Sequence, residues 1–173
     1  SGGGTLVPRL RDAAVFGDEA GEYAIHCVGR HMAFRRVAGG EAKYVSEGAQ
    51  VERITASCVS RDRSLLAVCS QLPGEGEEGG LGGGPRSQVS IYGLKSNMLK
   101  PQAVLQELGG VVGTLTSVAF AADAASSLLV IAASPPRGAG EQGPLLVVVE
   151  WRRNYVVGRC ALPSPADRVA LSP

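Results

Sequence analysis

The stretch Ile54-Thr55-Ala56-Ser57-Cys58-Val59-Ser60, Arg61-Asp62-Arg63, Ser64-Leu65-Leu66-Ala67-Val68-Cys69-Ser70 decides the fold, because it recurs. Its second copy runs Leu115-Thr116-Ser117-Val118-Ala119-Phe120-Ala121, turns around Asp123, and resumes at Ser127-Leu128-Leu129-Val130-Ile131-Ala132-Ala133-Ser134. Thr55 matches Thr116, Val59 matches Phe120 and Asp62 matches Asp123. Leu65-Leu66 matches Leu128-Leu129 once the second turn is two residues longer. A third copy begins at Val169-Ala170-Leu171-Ser172-Pro173. Each copy reads as an apolar strand, a tight Asp-containing turn and a second apolar strand. Self-similarity of this kind marks units that bury their faces against neighbours of the same kind.

Two more strands follow in each unit. Gln88-Val89-Ser90-Ile91-Tyr92 alternates with period 2, and Ala103-Val104-Leu105 supplies a fourth strand. In the next unit these places fall to Leu145–Trp151 and Tyr155–Cys160. Upstream, Tyr23–Val28, His31–Phe34 and Lys43–Val45 read as the end of a preceding unit. No 3.6-residue periodicity persists long enough for a helix of three turns. Four short antiparallel strands per repeat describe a blade of a β-propeller. The expected fold class is all-β: a partial propeller of about two full four-stranded blades plus parts of two others.

The expected organisation is a disordered N-terminal segment over 1–11 and a partial propeller over 12–173. Blade parts fall at 12–48, blades at 54–108 and 115–162, and the first strand of a further blade at 166–173. Val59 to Phe120 spans 61 residues and Phe120 to Leu171 spans 51, against roughly 40–45 for a common blade. The excess falls in Leu72–Ser87, rich in glycine, and in Pro135–Gly143, which have almost nothing apolar to bury. Both read as flexible surface loops. So few units do not close a ring of roughly 4–8 blades, so the remaining blades are expected from a longer chain or a partner. An opening Ser-Gly-Gly-Gly without methionine fits a processed or partial chain.

Composition narrows the function. The 17 Lys+Arg nearly balance the 16 Asp+Glu, and no basic stripe recruits a phosphate backbone, so no nucleic-acid partner is expected. Apolar runs such as Leu128–Ala133 and Leu145–Val149 are strand-sized, so no membrane association is expected. Cys27, Cys58, Cys69 and Cys160 form no C-x-x-C pair and lie in or beside apolar runs, as reduced thiols of an intracellular protein do. His26 and His31 lack a partner acid or thiol at chelating spacing and read as structural. The run Gly79–Gly84 is followed by Pro85-Arg86-Ser87 rather than Lys-Ser/Thr and a helix, so it reads as linker and not as a phosphate loop. Ser134, Ser164 and Ser172 each precede proline and read as turn signals. No catalytic residue, metal ligand or cofactor is expected, and the chain is expected not to be an enzyme.

The phrases Val118-Ala119-Phe120 with Asp123, and Val169-Ala170-Leu171-Ser172-Pro173, resemble the first-strand motif of the WD-repeat family. Glu150-Trp151-Arg152 sits where that family carries Trp-Asp, with Arg152 in place of the acid, and the Gly-His pair is absent. The family's Asp-His-Ser/Thr-Trp network therefore transfers to no residue here. A closer likeness is to the amino-terminal propeller of axonemal cilia- and flagella-associated protein 57-type proteins. It is carried by Ala13–Gly17, Gln88–Leu94 and Ala133–Pro136 leading to Trp151, over most of residues 12–173. That resemblance implies a structural component of the ciliary or flagellar axoneme, partnered by dynein-arm or microtubule-associated subunits. A cytosolic adaptor subunit of a ubiquitin ligase or trafficking complex is the alternative, since fold does not distinguish them.

Trp151, the only tryptophan, is expected in the core between blades; Phe120 of the first-strand phrase is a further expected structural residue, and Asp62 and Asp123 mark the turns. Arg152 and Arg153, like Arg35-Arg36, read as solvated charges at strand ends. On a propeller rim, where partners dock, Arg152 and Arg153 are the candidate interaction residues.

Overall fold

The computed structural model describes residues 14–18, 21–74, 86–95, 98–106, 108, 113–121, 127–135, 143–166 and 168–170. These form strands and turns, with no helix among the described residues. The first sheet holds β1 (Ala14–Asp18), β2 (Gly21–Val28), β3 (His31–Arg36) and β4 (Lys43–Ser46), in that order. The second holds β5 (Arg53–Val59), β6 (Leu65–Leu72), β7 (Arg86–Lys95) and β8 (Met98–Leu105). The third holds β9 (Thr114–Phe120), β10 (Leu128–Ser134), β11 (Leu145–Glu150) and β12 (Tyr155–Ala161). All pairings are antiparallel between consecutive strands, which gives three blade-like meanders.

The repeat read from sequence is a repeat of register. Ile54 pairs with Ser70 and Ala56 with Cys69, so Thr55 is squeezed out as a bulge. Leu115 pairs with Ala133 and Ser117 with Ala132, so Thr116 is squeezed out in the same way. A bulge leaves a residue without a cross-strand partner and bends the strand. In both sheets the bulged threonine turns its hydroxyl toward the neighbouring strand, 3.3 Å from Cys69 O and 3.4 Å from Ala132 O. Second bulges recur too: Gln102 in β8 and Val157 in β12 stand unpaired at matching places. Pro101, beside the first of these, is tolerated because β8 is an edge strand and its missing N–H breaks no ladder bond.

The sheets stack face to face. β9 runs alongside β5, and β5 also reaches β1 and β2. Leu66, Val68, Tyr92 and Leu94 of the second sheet pack on Tyr23, Ile25, Met32 and Phe34 of the first. The alternate residues Ala67, Cys69, Val89 and Ile91 pack on Leu129, Ile131, Val147 and Val149 of the third. With both faces covered, β6 is buried continuously from Leu66 to Ser70, which is why it reads as an unbroken apolar run and not as an alternation. Each fully buried Leu, Ile or Met here contributes roughly 1.5–3 kcal/mol over an exposed one.

Three expectations are corrected. The segment taken for blade parts at 12–48 is a complete four-stranded sheet, because Ala14–Asp18 pairs with Gly21–Ile25. The Leu72–Ser87 loop is shorter than read, because Leu72 pairs with Arg86 and Gln71 with Ser87; residues 75–85 lie outside the described residues. β11 stops at Glu150, so Trp151 opens the turn to β12 in place of ending a strand. Residues 1–13, 136–142 and 171–173, and with them all of the expected N-terminal segment over 1–11 and parts of the second loop and the further blade, also lie outside the described residues. Residues 168–170 are described but form no strand.

Candidate interaction surface

Asp62 is the centre of the β5–β6 turn. Its carboxylate accepts from Ser60 Oγ at 2.5 Å, Ser64 Oγ at 2.6 Å and Ser64 N at 3.1 Å, while Ser60 Oγ in turn accepts from Leu65 N at 2.9 Å. These bonds, led by the Ser60 hydroxyl, hold the Asp62 carboxyl below its ordinary value. They also fix Arg63 in the left-handed region, at φ 59°. Asp123, its sequence counterpart, lies outside the described residues.

Trp151 closes the matching corner of the third sheet. Its side chain is 5% exposed, in the same cluster as Phe120, Leu129, Ile131 and Val149. Its N–H donates to Ser127 O at 3.1 Å. Arg152 lays its guanidinium over the indole, 4.7 Å from the ring centroid, and Arg153 Nε stands 3.5 Å from Glu150 Oε1. Arg152 and Arg153 are exposed. A cation–π contact at so exposed a place is worth about 0.5–1 kcal/mol, so the turn is ordered while its charges face solvent.

Sequence reading missed a buried polar cluster between the first two sheets. Glu47, in the β4–β5 connection, accepts the Tyr92 hydroxyl at 2.7 Å, and the Ser90 and Ser70 hydroxyls stand nearby. These favour the carboxylate form, but burial outweighs them and raises the Glu47 carboxyl above its ordinary value. Burial and the Glu47 carboxylate push the Tyr92 phenol up as well. Ser70 Oγ helps the charge without completing a well-formed bond: it and Glu47 Oε1 are buried with no partner among the described residues. The third sheet treats the same place differently. Leu108 precedes Leu115 as Glu47 precedes Ile54, and it joins Ala133 and Val147, the register counterparts of Ser70 and Ser90, in the apolar cluster. Extending the repeat alignment upstream would have exposed this charged-for-leucine exchange.

The thiols follow the packing. Burial pushes the Cys58 thiol up to about 12 and Cys69 well above its ordinary value. Cys27 Sγ lies 3.5 Å from Ser57 Oγ across the first two sheets, and Cys160 is exposed. All four cysteines are free.

Two faces remain at the ends of the stack. The face of the first sheet turned from the second carries His26 and His31 with Val28, 46% exposed, and Tyr44, 65% exposed. Register thus puts both histidines on one face, beside apolar neighbours. On the far side of the third sheet, Ser117 Oγ accepts Val169 N at 2.8 Å and Thr116 Oγ1 donates to Ala166 O at 2.6 Å, so Ala166 and Val169 are tied to β9. No group of three His, Cys, Asp or Glu side chains that would hold a metal ion occurs among the described residues. No described helix is long and apolar enough to cross a membrane. No family model and no curated protein matches the chain.

Proposed function

We propose that the chain is a non-catalytic protein-interaction scaffold, a WD-repeat-like partial β-propeller serving as a component of the ciliary or flagellar axoneme. The observation that carries the scaffold reading is the recurrence of the Thr55 and Thr116 bulges at one register position in stacked four-stranded sheets. A unit repeated so closely is built to be stacked further, and Ala166 and Val169 bond to the far side of β9, the strand that also packs along β5. The axonemal assignment rests on the likeness of Ala13–Gly17, Gln88–Leu94 and Ala133–Pro136 to axonemal WD-repeat proteins. Its partners on this reading are dynein-arm or microtubule-associated subunits, together with the blades that complete the ring.

Tagging the full-length protein in ciliated cells tests the assignment. Signal along the axoneme supports it. Diffuse cytosolic or vesicular signal contradicts it and favours the adaptor reading.

A further inference from the structure

The β4–β5 connection, which carries the chain from the first sheet to the second, is tied to the second sheet through one carboxyl. Glu47 Oε2 accepts the Tyr92 hydroxyl of β7 at 2.7 Å, and Glu47 N donates to Arg30 O in the β2–β3 turn at 3.1 Å. The other carboxyl oxygen, Oε1, is buried with no partner among the described residues, as is Ser70 Oγ nearby. An ionised carboxyl offers about four acceptor sites, so much of this one's capacity is unmet out of reach of water.

No cation offsets the charge among the described residues. On the surrounding elements, Lys43 sits at the far end of β4, His31 lies on the outer face of the first sheet, and Arg30 is exposed in the β2–β3 turn. At the start of β5, Arg53 donates to Gln71 Oε1 and Gln71 donates to Glu52. The titratable groups of β6 and β7, Cys69 and Tyr92, are both pushed up and stay neutral while a carboxyl titrates. Burial and the Ser90, Tyr92 and Ser70 hydroxyls set the titration of Glu47, and burial prevails. The chain next to it has room to move. Gly48 has φ +151°, a Cβ there would meet nothing within 4 Å, and Ala49 and Gln50 are exposed.

We propose that Glu47 is a pH-operated latch between the first two sheets: neutral, it holds the β4–β5 connection against β7, and ionised, it leaves the interface for water and loosens the first sheet from the second. The proton passes to and from solvent, and no other group changes charge. A buried carboxylate with incomplete partners is costly where it sits, and swinging out beside Gly48 relieves that cost for the loss of the Tyr92 bond. The folded value lies above 4.5, so the latch is shut below 4.5 and opens as pH rises through the folded value. Leu108, in the equivalent place of the next interface, has no charge to gain. The latch belongs to the fold and does not rest on the scaffold reading.

The test is hydrogen–deuterium exchange of the full chain, read by mass spectrometry from pH 4.5 into the neutral range. After correction for the intrinsic pH dependence of exchange, amides of β2–β4 are expected to exchange about tenfold or more faster across that rise, the scale of one lost charged hydrogen bond. Amides of β9–β11 are expected to stay level. Glu47→Gln, which keeps a neutral side chain, and Glu47→Leu, which copies Leu108, are each expected to abolish the difference. Ser70→Ala removes a hydroxyl that favours the charge and is expected to move the rise to higher pH, which a residue that only packs would not do. A first sheet that keeps pace with the third at every pH overturns the proposal, as does an acceleration that survives in Glu47→Gln. The two sheets are compared within one chain, so the first of these outcomes needs no variant to fold.

Discussion

Glu47 accepts a hydrogen bond from Tyr92 at 2.7 Å in the place where the next sheet buries Leu108. The two interfaces therefore differ at this place: the first holds a carboxylate, a phenol and serines, the second leucine, alanine and valine. Burying a charge with incomplete partners costs stability unless its hydrogen bonds are complete, and Glu47 Oε1 has no partner among the described residues. Copying the apolar set into the first interface, with Glu47→Leu, Ser70→Ala, Ser90→Val and Tyr92→Phe together, is expected to stabilise the protein by about 1–4 kcal/mol. Urea denaturation checks this.

The same carboxyl sets a pH dependence. Its folded pKa lies above the ordinary 4.5, so between the two values the folded state binds more protons than the unfolded one. This group's share of stability is whole below 4.5 and declines as pH rises through the folded pKa. Asp62 acts with the opposite sign: its lowered pKa adds stability above 3.8 that is lost as pH falls through the folded value. Glu47→Gln is expected to flatten the decline on the upper side and leave the acid side unchanged, as read by melting temperature against pH.

Gly113 immediately precedes β9 at φ +133°, and a Cβ there would stand 2.1 Å from Ser134 O. Its own carbonyl accepts Ser87 Oγ at 2.6 Å, tying the second sheet to the third. Gly113→Ala is expected to destabilise by at least about 1–3 kcal/mol, the scale of backbone strain alone, because the contact is with main chain that cannot swing aside. Chemical denaturation of this variant beside Gly158→Ala, where a Cβ meets nothing within 4 Å, separates the clash from the loss of a glycine.

Thiol labelling maps the stack. Cys160 is expected to react first with a maleimide, and Cys69, 0% exposed, only on unfolding. Mass spectrometry over a time course reads the order; early labelling of Cys69 would contradict the packing of the second sheet on the third.

Trp151→Ala is expected to cost about 3–5 kcal/mol, the range for removing a large buried aromatic side chain. Unchanged thermal stability would contradict its place among Phe120, Leu129 and Ile131.

Much of the fold was legible because hairpins are local. Ile54–Ser70 and Leu115–Ser134 each hold two strands and their turn, and the same Thr-to-Val/Phe spacing preserves the bulge in both. The completeness of the first sheet was not legible: β1 is five residues, Ala-Val-Phe-Gly-Asp, too short for period-2 alternation to stand out. Nor was the Glu47 cluster, since its partners Ser70, Ser90 and Tyr92 arrive from strands separated by a long insertion. The pairing of Tyr23 with Arg36 escaped for a similar reason: it arises only through the β2–β3 register, and in sequence Arg36 is one of an ordinary pair of basic residues.

On the proposed scaffold reading, the three stacked sheets take further units on their outer faces. The direct measurement is the mass of the purified 17.8 kDa chain by light scattering over a range of concentrations. Concentration-dependent association above 17.8 kDa is predicted, because the outer face of the first sheet leaves Val28 46% and Tyr44 65% exposed. A monomer at every concentration, unfolding in one sharp transition, would contradict it.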